Sequence, residues 1–274
     1  MSIGIDINLH AKQGEALQAL ASPQITYLGY GGARGGGKSH FSRAYLILRS
    51  LKYKGSKHLL IRRTFAELQR NHIDNLIKEY GAIGHYNAGK HYFILNNGSI
   101  IELGYCEKDS DLERYQGGEY DTIVIDECQF QTEKRFEYFK GCLRSTNALL
   151  RPKMLLTFNP GGVGHTFLKR IFVDKTIDDK DDINKYEFVR ALVYDNSTIV
   201  DNDPDYVKRL ESLPEPIRSA WLNGDFGVFE GQFYSISAKS LVAPFHIEES
   251  TCRECLYGSL DHGISHNTSF GLWY

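Results

Sequence analysis

The stretch Gly31-Gly-Ala-Arg-Gly-Gly-Gly-Lys38-Ser39 constrains this chain more than any other part of it. Gly32 and Gly37 stand five residues apart, and Lys38 and Ser39 follow directly, which is the spacing of a loop that wraps nucleotide phosphates. The context fits as well. Ile25–Tyr30 is β-branched and aromatic and reads as a strand, and the residues from Lys38 to about Tyr53 read as a helix. Gly32, Gly35, Gly36 and Gly37 let backbone N–H groups turn inward around phosphate oxygens, and the helix presents its positive amino-terminal end to the same anion. Lys38 then supplies a point charge to the β- and γ-phosphates, and the Ser39 hydroxyl is a ligand for magnesium. ATP and Mg2+ are the cofactors this pattern predicts. Arg34, inside the loop, places a guanidinium within reach of charge that spreads over the γ-phosphate oxygens.

The rest of the chain supplies the partners such a loop needs. Thr122-Ile-Val-Ile-Asp126 is a buried-strand run closed by two acids, Asp126 and Glu127. An acid at that point holds the magnesium shell, and the adjacent Glu127 can take a proton from an attacking water. Lys57–Arg62 and Lys153–Thr157 read as further buried strands, and Thr64 as the N-cap of a helix through Lys78. Asn97-Gly98 between two apolar runs predicts a hairpin, Tyr92–Leu95 with Ser99–Leu103. Glu133–Leu143 reads as a helix, Tyr186–Tyr194 as a strand, and Asp203–Asn223 as helix interrupted by Pro214 and Pro216. Strands alternating with helices predict an α/β fold with a mainly parallel central sheet covered by helices, and a small helical lid.

Composition narrows the class. With 274 residues, 42% of them apolar, 24% charged and only 7 prolines, the chain can build a sizeable core, which excludes disorder and a disulfide scaffold. No apolar run is long enough to span a bilayer, and Met1–Asp6 lacks the basic-then-apolar pattern of a secretory signal. Five cysteines, an odd number, suit a reducing cytoplasm. The net charge of −2 gives no whole-protein attraction to DNA, so any such contact must be local.

With these residues placed, the chain resembles the large terminase subunit of tailed bacteriophages, an ATP-driven motor that packages double-stranded DNA into a procapsid. The resemblance runs over essentially the whole length. It rests on the phosphate loop with its internal arginine and on Arg114-Tyr-Gln-Gly-Gly-Glu-Tyr-Asp-Thr-Ile-Val-Ile-Asp-Glu127, similar to the family's Walker B region. Lys12-Gln13-Gly-Glu-Ala-Leu17 is similar to the adenine-recognising glutamine segment, and Thr157-Phe-Asn159-Pro160 to the coupling motif that senses the γ-phosphate. Trp221–Gly231 resembles the segment joining motor to nuclease. The resemblance implies Gln13 as a nucleotide contact, Thr157 and Asn159 as coupling residues, and Arg114 as an arginine acting on a neighbouring subunit's site. It also implies a ribonuclease-H-like nuclease, with Asp261 in Leu260-Asp261-His-Gly263 as its first metal ligand. Because the sequence stops at Tyr274, a truncated and inactive nuclease stub is expected.

The organisation expected is therefore a motor over residues 1–225, a linker over 226–255 and the first nuclease strands over 256–274. The partners implied are double-stranded DNA, a portal protein, a small terminase subunit and further copies in a ring, with a monomer in isolation, no membrane, and the bacterial host cytoplasm as the place of action. Two other readings use the same residues: a helicase-like DNA-dependent ATPase, and a nucleotide-dependent assembly module that does not hydrolyse by itself. Cys252-x-x-Cys255 with His262 and His266 can be read as a zinc site, against which stand the short gap between the pairs and the position of His262 beside Asp261. The segment Arg43–Arg63 holds seven basic residues and no acid; it reads equally as a DNA-facing stripe or as a solvated face with strand-end Arg62 and Arg63 serving the nucleotide. Cys128 reads as a small packing residue.

Overall fold

Four runs, Tyr27–Gly32 (β1), Lys57–Arg62 (β2), Thr122–Ile125 (β6) and Lys153–Phe158 (β7), are buried along nearly their whole length, as strands must be when helices cover both faces of a sheet. The computed structural model describes residues 6–145, 147, 149–177, 181–227, 257–261 and 269–273. Among the described residues its main sheet has eight strands in the order Gly84–Asn87 (β3), Tyr92–Leu95 (β4), Ile100–Tyr105 (β5), β2, β6, β7, β1, Tyr186–Ala191 (β8). The six from β5 to β8 are mutually parallel, while β4 runs antiparallel to β5 and to β3.

Side chains alternate across this sheet and seed two cores. Leu28, Tyr30, Leu60, Val124 and Leu155 point to one face, beneath Ala11–Ala21 (α1), Lys38–Lys52 (α2) and the helical segment over 65–80. Leu59, Ile61, Ile123, Ile125 and Leu156 point to the other, beneath Glu133–Cys142 (α5) and the helix that begins at His165–Leu168 (α6). A third, smaller cluster lies under the lid: Val193 of the turn Val193–Asp195, Leu210 of Pro204–Glu211 (α8) and Leu222 of Ile217–Leu222 (α9), with Ile199 of Ser197–Asn202 (α7) packed against them.

Several elements differ from the sequence expectation. The first strand is shifted two residues onward and carries Gly31 and Gly32, because a Cβ at Gly31 would lie 1.8 Å from the Phe158 carbonyl oxygen. Thr64 does cap its helix, accepting from the Glu67 amide, but the helix is Phe65–Leu68 (α3), a π-helical turn Gln69–Ile73, then Asp74–Tyr80 (α4). Strand β3 and the helix from His165 to Val173 have no counterpart in the expectation, and β8 stops at Ala191 where a 3-10 turn begins. The Arg43–Arg63 segment forms no single stripe. Arg43 pairs with Glu79, Arg62 with the acids after β6, and Arg49 donates to the carbonyls of Asp121 and Arg151.

The chain divides into two compact units, residues 1–233 and 234–274. In the second, Tyr257–Asp261 (β9) pairs antiparallel with Ser269–Trp273 (β10), so Asp261 closes its strand opposite Ser269. Cys252, Cys255, His262, His266 and nearly all of the expected linker lie outside the described residues. No described helix is long and apolar enough to cross a membrane.

Candidate nucleotide-binding site

The strand order decides the site. β7 lies between β1 and β6, and β2 flanks β6 on the other side, so four carboxyl-terminal strand ends meet in one row. The loop after β1, Thr157 and Asn159 at the end of β7, Asp126 and Glu127 after β6, and Arg62 ending β2 are thereby neighbours, although Ala33 and Asn159 are 126 residues apart in sequence.

The phosphate loop is tied down by its carbonyls. Tyr30 Oη donates to the Gly36 oxygen at 3.0 Å, Asn196 Nδ2 to Gly35 at 2.7 Å, Gln13 Nε2 to Gly37 at 3.0 Å and Lys38 Nζ to Ala33 at 2.6 Å. The amides tell the complementary story. Among the described residues, none from Gly35 to His40 makes a hydrogen bond; the first helical bond is Phe41 N–H to Gly37. Six consecutive free donors at the start of a 15-residue helix form an anion cradle. Gly37 has φ of 71°, and a Cβ there would stand 2.6 Å from Gln13 Nε2, so only glycine fits.

Facing this loop is a compact acid cluster. Ser39 Oγ donates to Asp126 Oδ2 at 3.1 Å. The same carboxylate oxygen lies 2.7 Å from His72 Nε2 and in an ion-pair contact of 3.2 Å with Arg62 Nε, while Thr157 Oγ1 donates to Oδ1. Burial opposes ionisation of Asp126, but His72, Arg62 and the Thr157 hydroxyl outweigh it and hold its carboxyl well below the usual range. Glu127 behaves in the opposite way: burial pushes its carboxyl up, only partly offset by Arg62, whose Nη2 lies 2.9 Å from Oε1. Glu127 also sits at φ of 55°, left-handed backbone that costs a non-glycine residue about 1–2 kcal/mol. Thr157 supports it by accepting the Glu127 amide at 3.2 Å. Burial lowers Lys38 to about 8, against the attraction of Asp126 and Glu127.

The described residues contain no group of three or more acids, histidines or cysteines able to cage a metal. Two hard oxygen donors, Ser39 and Asp126, are instead what Mg2+ needs when substrate phosphates and water complete its shell. The donor set fits.

Between these walls lies a cleft of about 470 Å³, lined by Arg34 to His40, Glu127, Gln129, Asn159 and, from the lid side, Asn196, Tyr206 and Trp221. Asn159 Oδ1 is buried there without a hydrogen-bond partner. The Arg34 guanidinium lies 3.2 Å over the Trp221 ring, and the Arg34 amide donates to the Trp221 carbonyl, so the arginine couples the loop to α9. Gln13 is buried behind the loop, where it accepts the His10 amide and borders a second hollow with His10, His40 and Ser197. Arg114 is not brought into the cleft. It pairs with Asp111 at 2.8 Å and stacks over Tyr105. Gly32 closes β1 at the loop's entry, against Ala191.

Sequence reasoning did not find His72, Asn196 or Gln129. A lone histidine in a helix, or an asparagine ahead of one, has no spacing signal; only the fold brings them to the loop. Cys128 is fully buried with its thiol pushed up by burial, as a packing residue would be.

The family model for the phage terminase large subunit matches residues 25–216. No curated protein matches the sequence. Among solved structures, the large terminase of the thermophilic bacteriophage D6E is similar over 97% of this chain and 65% of its own length, with 19% identity and a TM-score of 0.66. The same protein in complex with ADP matches at 18% identity and a TM-score of 0.66, again over 97% of this chain and 65% of its own. A variant of the ATPase domain of the Thermus phage P74-26 large terminase matches over 80% of this chain and 94% of its own length, at 14% identity and a TM-score of 0.51. At these identities the likeness is one of fold, and the chain spans about two thirds of the D6E protein, just short of that fraction.

Proposed function

The chain belongs to the phage terminase large-subunit family, and on that premise we propose that it is the ATP-hydrolysing part of a motor that moves double-stranded viral DNA into a procapsid. One observation carries the reading: the cradle of free amides over Gly35–His40 faces the Ser39–Asp126 pair across one cleft.

In this reading the cradle and Lys38 bind the β- and γ-phosphates, and Lys38 exchanges the Ala33 carbonyl for a phosphate oxygen. Ser39 and Asp126 would hold Mg2+, which when bound neutralises charge between the phosphates. His72 and Thr157 keep Asp126 ionised and fixed. Glu127, with its raised carboxyl affinity for protons, is the base that accepts a proton from the attacking water, once it leaves Arg62. Gln13 and the hollow beside it take the nucleoside, and Arg34 meets charge on the γ-phosphate. Thr157 and Asn159 pass the change in that phosphate to the lid, and Arg114 serves a neighbouring copy. The ring, the portal and small-subunit partners, and action in the host cytoplasm belong to the same proposal. So do the division near residue 225 and Asp261 as a nuclease ligand.

The test is ATP turnover and nucleotide binding in two variants. Glu127→Gln should bind ATP nearly normally and lose turnover by a factor on the order of 10²–10⁴, whereas Lys38→Ala should weaken binding itself. Unchanged turnover in Glu127→Gln would show that the base is misassigned.

A further inference from the structure

A separate cavity of about 300 Å³ opens at the amino-terminal end of β7, whereas the phosphate loop lies at the carboxyl-terminal strand ends. Leu17 and Leu20 of α1, Leu48 of α2, and Leu149 form apolar walls. Four of the lining residues are basic, Arg49, Lys52, Arg151 and Lys153, and none is acidic, in a chain whose net charge is −2. None of the four makes an ion pair with a carboxylate among the described residues.

Two of these cations are buried. Arg49 donates to the Thr122 hydroxyl and to the carbonyls of Asp121 and Arg151, and Lys153 to the carbonyls of Ser22 and Ile25. Such dipoles solvate a charge but do not neutralise it, and buried charges are ordinarily paired. Besides burial, the charges acting on Lys153 are those of Arg49 and Arg151, both of its own sign, and together they bring its ammonium down to about 8. Tyr45, 2% exposed, also lines the cavity, and its hydroxyl has no hydrogen-bond partner. A buried hydroxyl without a partner is uncommon. Uncompensated positive charge, an idle donor and leucine walls describe half of a complex.

We propose that this cavity binds a carboxylate carried on an apolar body, with the carboxylate among Arg49, Lys52, Arg151 and the Tyr45 hydroxyl and the body against the leucines. The walls favour this over a phosphate of nucleic acid, which would leave the apolar surface unfilled and cannot carry an apolar group into the cavity. The same chemistry occurs at the carboxyl terminus of a polypeptide ending in an apolar residue and in a free apolar acid.

Calorimetric titration of the purified chain separates these cases. The probes are N-acetyl-L-phenylalanine, its amide, inorganic phosphate, and the peptide acetyl-Ala-Ala-Phe with a free carboxyl terminus. The acid should bind at least about tenfold more tightly than the amide and than phosphate, the usual worth of charge-assisted hydrogen bonds. The double variant Lys52→Ala, Arg151→Ala changes two exposed side chains. It should weaken the acid by about tenfold while thermal unfolding and ATP turnover stay unchanged. Tyr45→Phe, which removes only the hydroxyl, should weaken it a few-fold. A peptide that binds more tightly than the free acid identifies a polypeptide terminus as the occupant, and equal binding identifies a small acid. Equal binding of acid and amide, phosphate as good as the acid, indifference to the double variant, or no saturation at about 10 mM would each overturn the proposal.

Discussion

Replacing Thr157 by valine isolates the hydroxyl that joins the two acids of the site. Valine has nearly the same shape, so no cavity opens, and what is lost is hydrogen bonding. Thr157 Oγ1 donates to Asp126 Oδ1 and accepts the Glu127 amide at 3.2 Å, and the residue is fully buried. A hydrogen bond to a charged group is worth about 1.5–3 kcal/mol, and a buried amide left unpaired costs about 1–3 kcal/mol. The added apolar methyl returns about 1 kcal/mol, so Thr157→Val should destabilise the first unit by about 2–4 kcal/mol. Asp126 keeps its Oδ2 partners His72, Ser39 and Arg62, which is why the loss stops there. Because Glu127 is held at φ of 55° with Thr157 bound to its amide, turnover should fall by about tenfold or more as the carboxylate drifts. The acid dependence should change too. Asp126 titrates below an ordinary carboxylate in the fold, so its stabilisation is present above the unfolded value and is lost as pH falls toward the folded one. Without the Thr157 hydroxyl the folded value rises toward the unfolded one, so the stability lost to acid should be smaller and the loss should end at a higher pH. Urea midpoints between pH 3 and 7 (about the range over which carboxylates titrate), with steady-state ATP turnover, measure both effects, and Thr157→Ser should restore most of each. A valine variant within about 0.5 kcal/mol of the original and with normal turnover would refute the assignment of Thr157 as the link between the acids.

Asn159→Ala should leave ATP affinity within a few-fold and reduce turnover or DNA movement, because its unpartnered Oδ1 lines the cleft; normal packaging by that variant would remove it from coupling. Arg114→Ala and Glu127→Gln chains should each be inactive in assembled rings yet partly restore turnover when mixed, since some interfaces then pair an intact Arg114 with an intact Glu127. Full activity of Arg114→Ala rings would make it a surface residue paired with Asp111, as in the single chain. Lys153 titrates at about 8 in the fold and near 10.4 when unfolded. The stability of the original chain relative to Lys153→Met should therefore rise as pH climbs from about 8 to about 10, read as the difference between their melting temperatures, and a difference independent of pH would contradict the burial of that charge.

What the sequence determined by itself was the local chemistry. The left-handed glycine at Gly37, the hairpin turn at Asn97-Gly98 and the cap at Thr64 each depend on neighbours a few residues away, so the pattern carries them. The buried strands were legible for a related reason: a strand covered on both faces must be apolar throughout, and Thr122–Ile125 is so covered. Element ends were less legible, since β1 runs through Gly32 and β8 to Ala191 as far as the two strands pair with each other, and they lie far apart in sequence. The tertiary structure decided which of these pieces meet. Strand order puts β7 between β1 and β6, and so turns Thr157 into the bridge between Asp126 and Glu127 and brings Arg62 to both acids. It also carries His72, on a π-helical turn, to within 2.7 Å of Asp126, and lays Trp221 of the lid under Arg34. Contacts of this kind are set by how helices pack onto a sheet, which no local spacing encodes. Arg114 shows the same limit from the other side: its neighbours Asp111 and Glu113 offer it an ion pair and the motif offers it a neighbouring subunit, and the fold of the single chain holds it against Asp111.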